Sequence, residues 1–359
     1  MFRASLDANK RFIPGQLESL NQSIIQILLV LVFSLRCGIQ VLLAAFFAYT
    51  VWNTVFLGVQ ARCYFGRPDK TPLSNPAVRS LLHMIVPLLV SYSLVYVNQL
   101  VDKILVSSLP AGTVTAMGYG ATLSNLVGTF IAVISSVLFS YMASDISQGK
   151  QSDAAETVNL SALLMTVIFL PVSILTILCS RDVVSIVYGR GAFSGESIDI
   201  AARALSGYGF LFLPLIFREL FSRFQYAYQD SRWPMLNSSI GIAANIVLSI
   251  ALCPTWGVFG VAFASSVSVL VCSVLNLFSA KRHNESLFYA PLLKRVPLLC
   301  IGGVICFLSA RWGLSAFSSL ASLPRFLLVT LCSGGGYLIV VSPIIFGALK
   351  KFFRDTKAR

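Results

Sequence analysis

Apolar residues run in long blocks along this chain and are broken by short polar stretches. The polar-faced amphipathic helices of a soluble protein are nearly absent. Ten blocks approach or exceed the ~20 residues that an α-helix needs to cross a bilayer. They fall at about 19–36, 39–62, 80–108, 112–144, 154–180, 198–228, 233–253, 256–280, 292–312 and 324–349. The first two are separated only by Arg36, Cys37 and Gly38, and the seventh and eighth only by Pro254 and Thr255. Both breaks carry turn residues, so each pair reads as a tight helical hairpin. The fold class predicted is all-α, a polytopic transmembrane bundle of about ten helices.

Composition agrees. The chain is 56% hydrophobic and 11% charged, with a mean hydropathy of +0.80, where a soluble domain carries about 25% charged residues. Its net charge of +13 would suggest nucleic acid in a soluble protein. Here the basic residues lie between apolar runs, where the sorting of loops and anionic headgroups accounts for them. Membrane lipids, and no nucleic acid, are the partners this implies. With ten spans both termini share a side, and 18 of the 27 Lys and Arg fall on that side. Five fall on the other: Arg36, Arg181, Arg190, Arg311 and Arg325. The asymmetry predicts cytoplasmic termini and puts the stretch 181–197, with its "GRG" at 189–191, outside. Gly189 and Gly191 suit a sharp turn there, and Ser194 and Ser197 are candidate caps for the sixth span. The eight cysteines form no C-x-x-C pair and read as small hydrophobes rather than a metal site or a disulfide framework. Residues 1–18 are too polar for a cleavable signal peptide.

A faint repeat joins 36–62 to 255–281 at an offset of 219, pairing Gly38 with Gly257, Ala61 with Ala280 and Arg62 with Lys281. The units are six spans apart and so share one membrane orientation, as in the parallel repeats of transporters. The chain then divides into 1–62, a remnant of a first lobe with two spans; 63–79, a cytoplasmic linker; 80–283, a complete six-span lobe; and 284–359, a C-terminal helix pair with a basic tail.

No Asp-Asp pair, D-x-D, nucleophile elbow or metalloprotease helix occurs, which argues against an enzyme. Polar residues inside spans are the better candidates for function, because lipid makes them costly. Asn98 and Asp102 lie one helical turn apart in the third span, with Ser91 two turns below Asn98. Thr115, Tyr119, Thr122 and Thr129 form a stripe on the fourth. Asn245 and Ser249 share a face of the seventh, and Ser265, Ser266 and Ser268 cluster in the eighth. For the serines and threonines, contact between helices is the expected role. Asp102 needs a partner, with Lys103 or Asn98 the structural candidates. Arg218 and Arg223, in the sixth span beside Glu219, either meet a phosphate or reach out to headgroups.

Four stretches resemble one family: "VNQLVDKILVSSLPAGTVTAMGYGATL" (97–123), "VYGRGAFS" (187–194), "FQYAYQDSRWP" (224–234) and "AANIVLSIAL…GVFGVAFASSVSV" (243–269). In order and spacing they are similar to the MurJ/MviN-type lipid II flippases of the multidrug/oligosaccharidyl-lipid/polysaccharide flippase superfamily, over roughly residues 2–283. The resemblance implies a two-lobe flippase of fourteen helices, with the first lobe incomplete here and the family's first four helices not represented. Thr122 stands where the family often carries an arginine.

The implied activity is translocation of an undecaprenyl-pyrophosphate-linked peptidoglycan precursor, lipid II, across a bacterial inner (plasma) membrane by alternating access. The alternatives are a non-transporting remnant or membrane interaction partner, and a flippase for another lipid-linked oligosaccharide. The resemblance brings the third, seventh and eighth spans together, making Asp102, Asn245, Ser249 and Ser265 candidate sodium ligands or Asp102 a proton carrier. No cofactor is expected beyond that coupling ion. Arg218, Arg223, Tyr119, Thr122 and Asn98 are the candidates for binding the lipid-linked saccharide. Further partners expected are the missing N-terminal helices and cell-wall synthesis proteins.

Overall fold

A computed structural model describes residues 13–37, 40–62, 93–191, 193, 195–287 and 295–357, without the side chains of 13–20, 34–37 and 345–357. The described residues are helical with short connections. In chain order the helices are α1 (Ile13–Cys37), α2 (Gln40–Ala61), α3 (93–107), α4 (Thr113–Ser147), α5 (Gln151–Leu178), α6 (Ser180–Tyr188), α7 (Gly195–Gly209), α8 (Phe212–Ala227), α9 (Arg232–Ala280), α10 (Val296–Ala316) and α11 (Ser322–Lys357). The stretch 63–79, the first half of the third expected span, Ser91 and Ser194 lie outside the described residues. Six of the described helices are long and apolar enough to cross a membrane, and α7 with α8 makes a seventh as one bent span. The all-helical, multi-pass architecture expected from the apolar blocks is what the structure has.

The chain divides into two compact units, Met1–Met84 and Ile85–Arg359. In the first, α1 and α2 follow each other directly. Along α2, Val41, Ala45, Leu57 and Ala61 are buried, while Phe46, Phe47, Trp52 and Val55 point outward.

In the second unit α9 is a hairpin. Its 49 residues are interrupted at Gly257, whose φ of 57° and ψ of −136° are open only to glycine. The arms run antiparallel and are bonded across. Asn237 Nδ2 donates to Asn276 Oδ1 at 2.8 Å and to Ser279 Oγ at 2.9 Å, and Asn245 Nδ2 donates to Ser265 Oγ at 3.0 Å. The hairpin expected around Pro254 and Thr255 is therefore present, turning one residue after Trp256.

Small residues let the other helices approach. A Cβ on Gly120 of α4 would lie 2.6 Å from the Ala201 carbonyl oxygen of α7, and one on Gly207 of α7 would lie 2.8 Å from the Ala262 Cβ of α9. Between α4, α5 and α8 sits the main core, around Ile131, Met142, Phe169, Phe212, Phe221 and Phe224.

The sixth expected span breaks into α7 and α8, bent by 46° around Phe210 and Leu211. Pro214, in the first turn of α8, has no N–H to continue the α7 ladder. Hydroxyls from neighbouring helices bond the carbonyls around the break: Ser173 Oγ to Gly209 O at 2.6 Å, Ser266 Oγ to Gly207 O at 2.8 Å and Ser273 Oγ to Pro214 O at 2.7 Å. A broken helix survives in hydrocarbon when neighbours satisfy its backbone in this way.

The outer loop expected over 181–197 is partly a helix. In α6, Asp182 and Val184 are buried, and Asp182 receives both Arg325 Nη2 and, at 3.0 Å, Arg325 Nε from α11. Gly191 takes a φ of +64°, whereas Gly189 is required for space: its Cβ would fall 2.3 Å from the Ser185 carbonyl oxygen. Ser197 lies inside the first turn of α7 rather than before it. Tyr337 Oη of α11 donates to the Val167 carbonyl of α5 at 2.8 Å, so α11 is tied to this unit at Tyr337 as well as at Arg325.

Candidate functional site

The third span, seen as α3, meets the α9 hairpin at Leu105, whose carbonyl accepts the Cys253 thiol at 3.7 Å. One turn earlier Asp102 is 9% exposed, and its Oδ1 has no hydrogen-bond partner. Ser249, Asn245 and Cys253 of the first α9 arm are buried as well. Ser249 gives its proton to Asn245 Oδ1 at 2.9 Å, and Asn245 in turn donates to Ser265 at 3.0 Å. Ser249, Asn245 and Ser265 thus form one hydrogen-bonded chain across the two arms of α9. Lys103 points outward and makes no ion pair with Asp102. Asn98 is half-buried one turn away, and its Oδ1 is also without a partner.

A hard monovalent cation takes oxygen ligands and a compensating charge. This cluster offers one carboxylate with an unused oxygen, an amide oxygen and two hydroxyls. The donor set fits such an ion. It equally fits a proton on Asp102, since a buried carboxylate with a bare oxygen is relieved by either.

A second cluster lies on α8, past the break. Arg218 Nη2 donates to Glu219 Oε1 at 2.8 Å, and Arg223 Nη2 lies 3.4 Å from Glu219 Oε2. One carboxylate thereby bridges two guanidinia. The side chains are 35%, 20% and 25% exposed for Arg218, Glu219 and Arg223. Arg223 Nη2 also reaches the Ala132 carbonyl of α4 at 3.4 Å, and its Nε is buried without a partner. This geometry is an ion-pair network within the unit, with part of each guanidinium side chain still exposed.

Tyr119 and Thr122 lie apart from both clusters. Tyr119 packs on Tyr188 and Phe193, with ring centroids at 4.8 and 5.2 Å. Thr122 is exposed and bonds back to the Gly118 carbonyl at 2.9 Å. Thr115 and Thr129 are exposed too, so within this unit the α4 stripe does not join helices. Ser173, Ser266 and Ser273 do so, as do Ser265 and Ser279 between the α9 arms. The sequence offered no means of separating the two groups, since a hydroxyl in an apolar run does not show which way it faces. It also offered no sign of the aromatic neighbours Tyr188 and Phe193. The role of Glu219 was available from its i,i+4 spacing to Arg223.

A family model described as lipid II flippase MurJ matches residues 1–324. The chain belongs to this family. The match extends past the 2–283 stretch on which the resemblance rests. A probable lipid II flippase MurJ of Rhizobium tropici is 27% identical over 281 residues, covering 74% of this chain and 52% of that protein. One of Rhizobium meliloti (strain 1021) is 26% identical over 268 residues, covering 73% and 50%. The chain spans about half the length of the curated relatives it matches. A solved structure of lipid II flippase MurJ in an inward closed conformation superposes with a TM-score of 0.79 at 19% identity, covering 97% of this chain and 70% of that one. That likeness establishes the MurJ fold.

Proposed function

We propose that this protein acts in moving lipid II, an undecaprenyl-pyrophosphate-linked saccharide, across the bacterial plasma membrane by alternating access, with both termini cytoplasmic. Membership of the MurJ family carries the reading. The geometry supports it in two places. Arg218 and Arg223 present paired guanidinia on a half-buried face, the donor type that suits a pyrophosphate. Asp102, Ser249, Asn245 and Ser265 are suited to hold sodium, or Asp102 a proton. A bound ion there would neutralise Asp102 and hold α3 against the α9 hairpin, and its loss would free them to part. Asn98, Tyr119 and Thr122 are further candidates for contact with the headgroup.

The test is complementation of a strain depleted of its own lipid II flippase, with this protein expressed from its native gene. Growth on the wild type and lysis on Asp102→Asn, at equal membrane abundance, are expected. Normal growth on Asp102→Asn overturns the ion role. Lysis on the wild type, with lipid II retained on the cytoplasmic leaflet, overturns the function. Thr122, standing where the family often has an arginine, favours a second reading in which the headgroup is a different lipid-linked saccharide. Selective binding of that lipid over lipid II by the purified protein is its signature.

A further inference from the structure

The Glu219 carboxylate sits between the guanidinia of Arg218 and Arg223. Its two oxygens each take one guanidinium, at 2.8 and 3.4 Å. A phosphate offers the same spread of acceptor oxygens with more charge. Arg223 is also tied to the Ala132 carbonyl at 3.4 Å, so it keeps an anchor if the carboxylate leaves. Arg218 and Glu219 are adjacent on α8, and their pairing depends on side-chain torsions that exchange without moving the helix. The cluster carries a net charge of +1 with Glu219 in place, from two arginines and one carboxylate. That single charge would rise to +2 on the side facing an incoming anion once the carboxylate swings away.

We propose that Glu219 is a resident counter-anion on a phosphate-binding pair, and that the phosphate of a polyprenyl-linked ligand displaces it from Arg218 and Arg223. This rests on the reading of the two arginines as phosphate ligands. Glu219 weakens binding in this scheme. It keeps the arginines paired when the site is empty and repels the phosphate when the site fills, so the ligand can leave again. A transporter needs that balance, because a site that binds too tightly does not release.

Binding of geranylgeranyl pyrophosphate to the purified full chain in nanodiscs tests it, with inorganic pyrophosphate as a second probe and geranylgeraniol as the phosphate-free control. Glu219→Gln keeps the shape and removes the charge. A like charge held a few ångströms away at a half-buried site is worth about tenfold in affinity after solvent screening. Glu219→Gln is therefore expected to bind geranylgeranyl pyrophosphate about tenfold tighter, and Glu219→Ala tighter as well, each with a folded state confirmed by a cooperative melt. A carboxylate that merely held the arginines in place would give the opposite sign, and unchanged or weaker binding in both variants overturns the proposal. A gain shared by inorganic pyrophosphate supports it with phosphate as the recognised group. A gain confined to the lipid probe supports it with headgroup and chain recognised together. If Arg223→Gln leaves wild-type binding intact, the phosphate reading of the arginines fails, and the proposal falls with it. If Arg223→Gln abolishes binding while Glu219→Gln does not tighten it, only the counter-anion role fails.

Discussion

Two glycines of α4, two residues apart, should respond oppositely to the same substitution. Gly118 faces open space, with nothing within 4 Å of an added Cβ. Gly120 faces α7, and a Cβ there would meet the Ala201 oxygen at 2.6 Å, the Ala204 Cβ at 3.0 Å and the Leu205 nitrogen at 3.1 Å. Ordinary contact begins at 3.4 Å, and the nearest obstacle is backbone, which cannot rotate aside. Helix propensity favours alanine at both sites by about 1 kcal/mol. The term is common to the two variants, so their difference isolates the packing. Overfilling a close crossing costs about 1–3 kcal/mol. Gly118→Ala should be neutral or stabilised, and Gly120→Ala should fall below it by that amount. Unfolding of a membrane protein is commonly irreversible, so apparent melting at a fixed scan rate is the appropriate assay. At about 2 cal/mol/K of unfolding entropy per residue, a chain of 359 residues shifts by a little over 1 °C per kcal/mol, so the two variants should separate by about 1–4 °C. Indistinguishable melting of the two would refute the claim that the backbones of α4 and α7 touch at Gly120.

Other outcomes follow from the same unit. Gly257→Ala places a Cβ at a φ of 57° and ψ of −136°, a conformation essentially confined to glycine that costs about 1–3 kcal/mol, so a lowered melting point is expected while Gly149→Ala, at an exposed turn, changes it less. Asn237→Ala strips Asn276 Oδ1 of its donor in a buried setting, and about 1–3 kcal/mol of destabilisation should appear in the same melt. Arg325→Ala leaves Asp182, 3% exposed, as an uncompensated charge, and a loss of about 3–5 kcal/mol is expected, largely recovered by adding Asp182→Asn. A melting point unchanged in Arg325→Ala would show that the pair does not hold α11 to α6.

The spans were legible because run length and apolarity measure the property that matters, thickness of hydrocarbon crossed. The hairpin at 254–257 was legible from its turn residues. The break between Gly209 and Phe212 was hidden, since its sequence is as apolar as the flanks and the serines that stabilise it lie 36 to 59 residues away in the chain. α6 was hidden because nine residues with buried Asp182 make sense only once Arg325, 143 residues later, is placed beside them. Grouping Asp102 with Asn245, Ser249 and Ser265 came through family resemblance. Spacing alone linked only Asn245 to Ser249.

The cross-bonded α9 hairpin also bears on how the protein reaches its membrane. An arm entering hydrocarbon alone would carry Asn237, Asn245 and Ser249, or Asn276 and Ser279, with amides stripped of water. Together the arms answer the Asn237 and Asn245 donors between themselves, Asn276 Nδ2 turning instead to Ser222 of α8, and Gly257 lets them fold back on themselves. Entering hydrocarbon as a pair would spare those two amides the cost of crossing without partners.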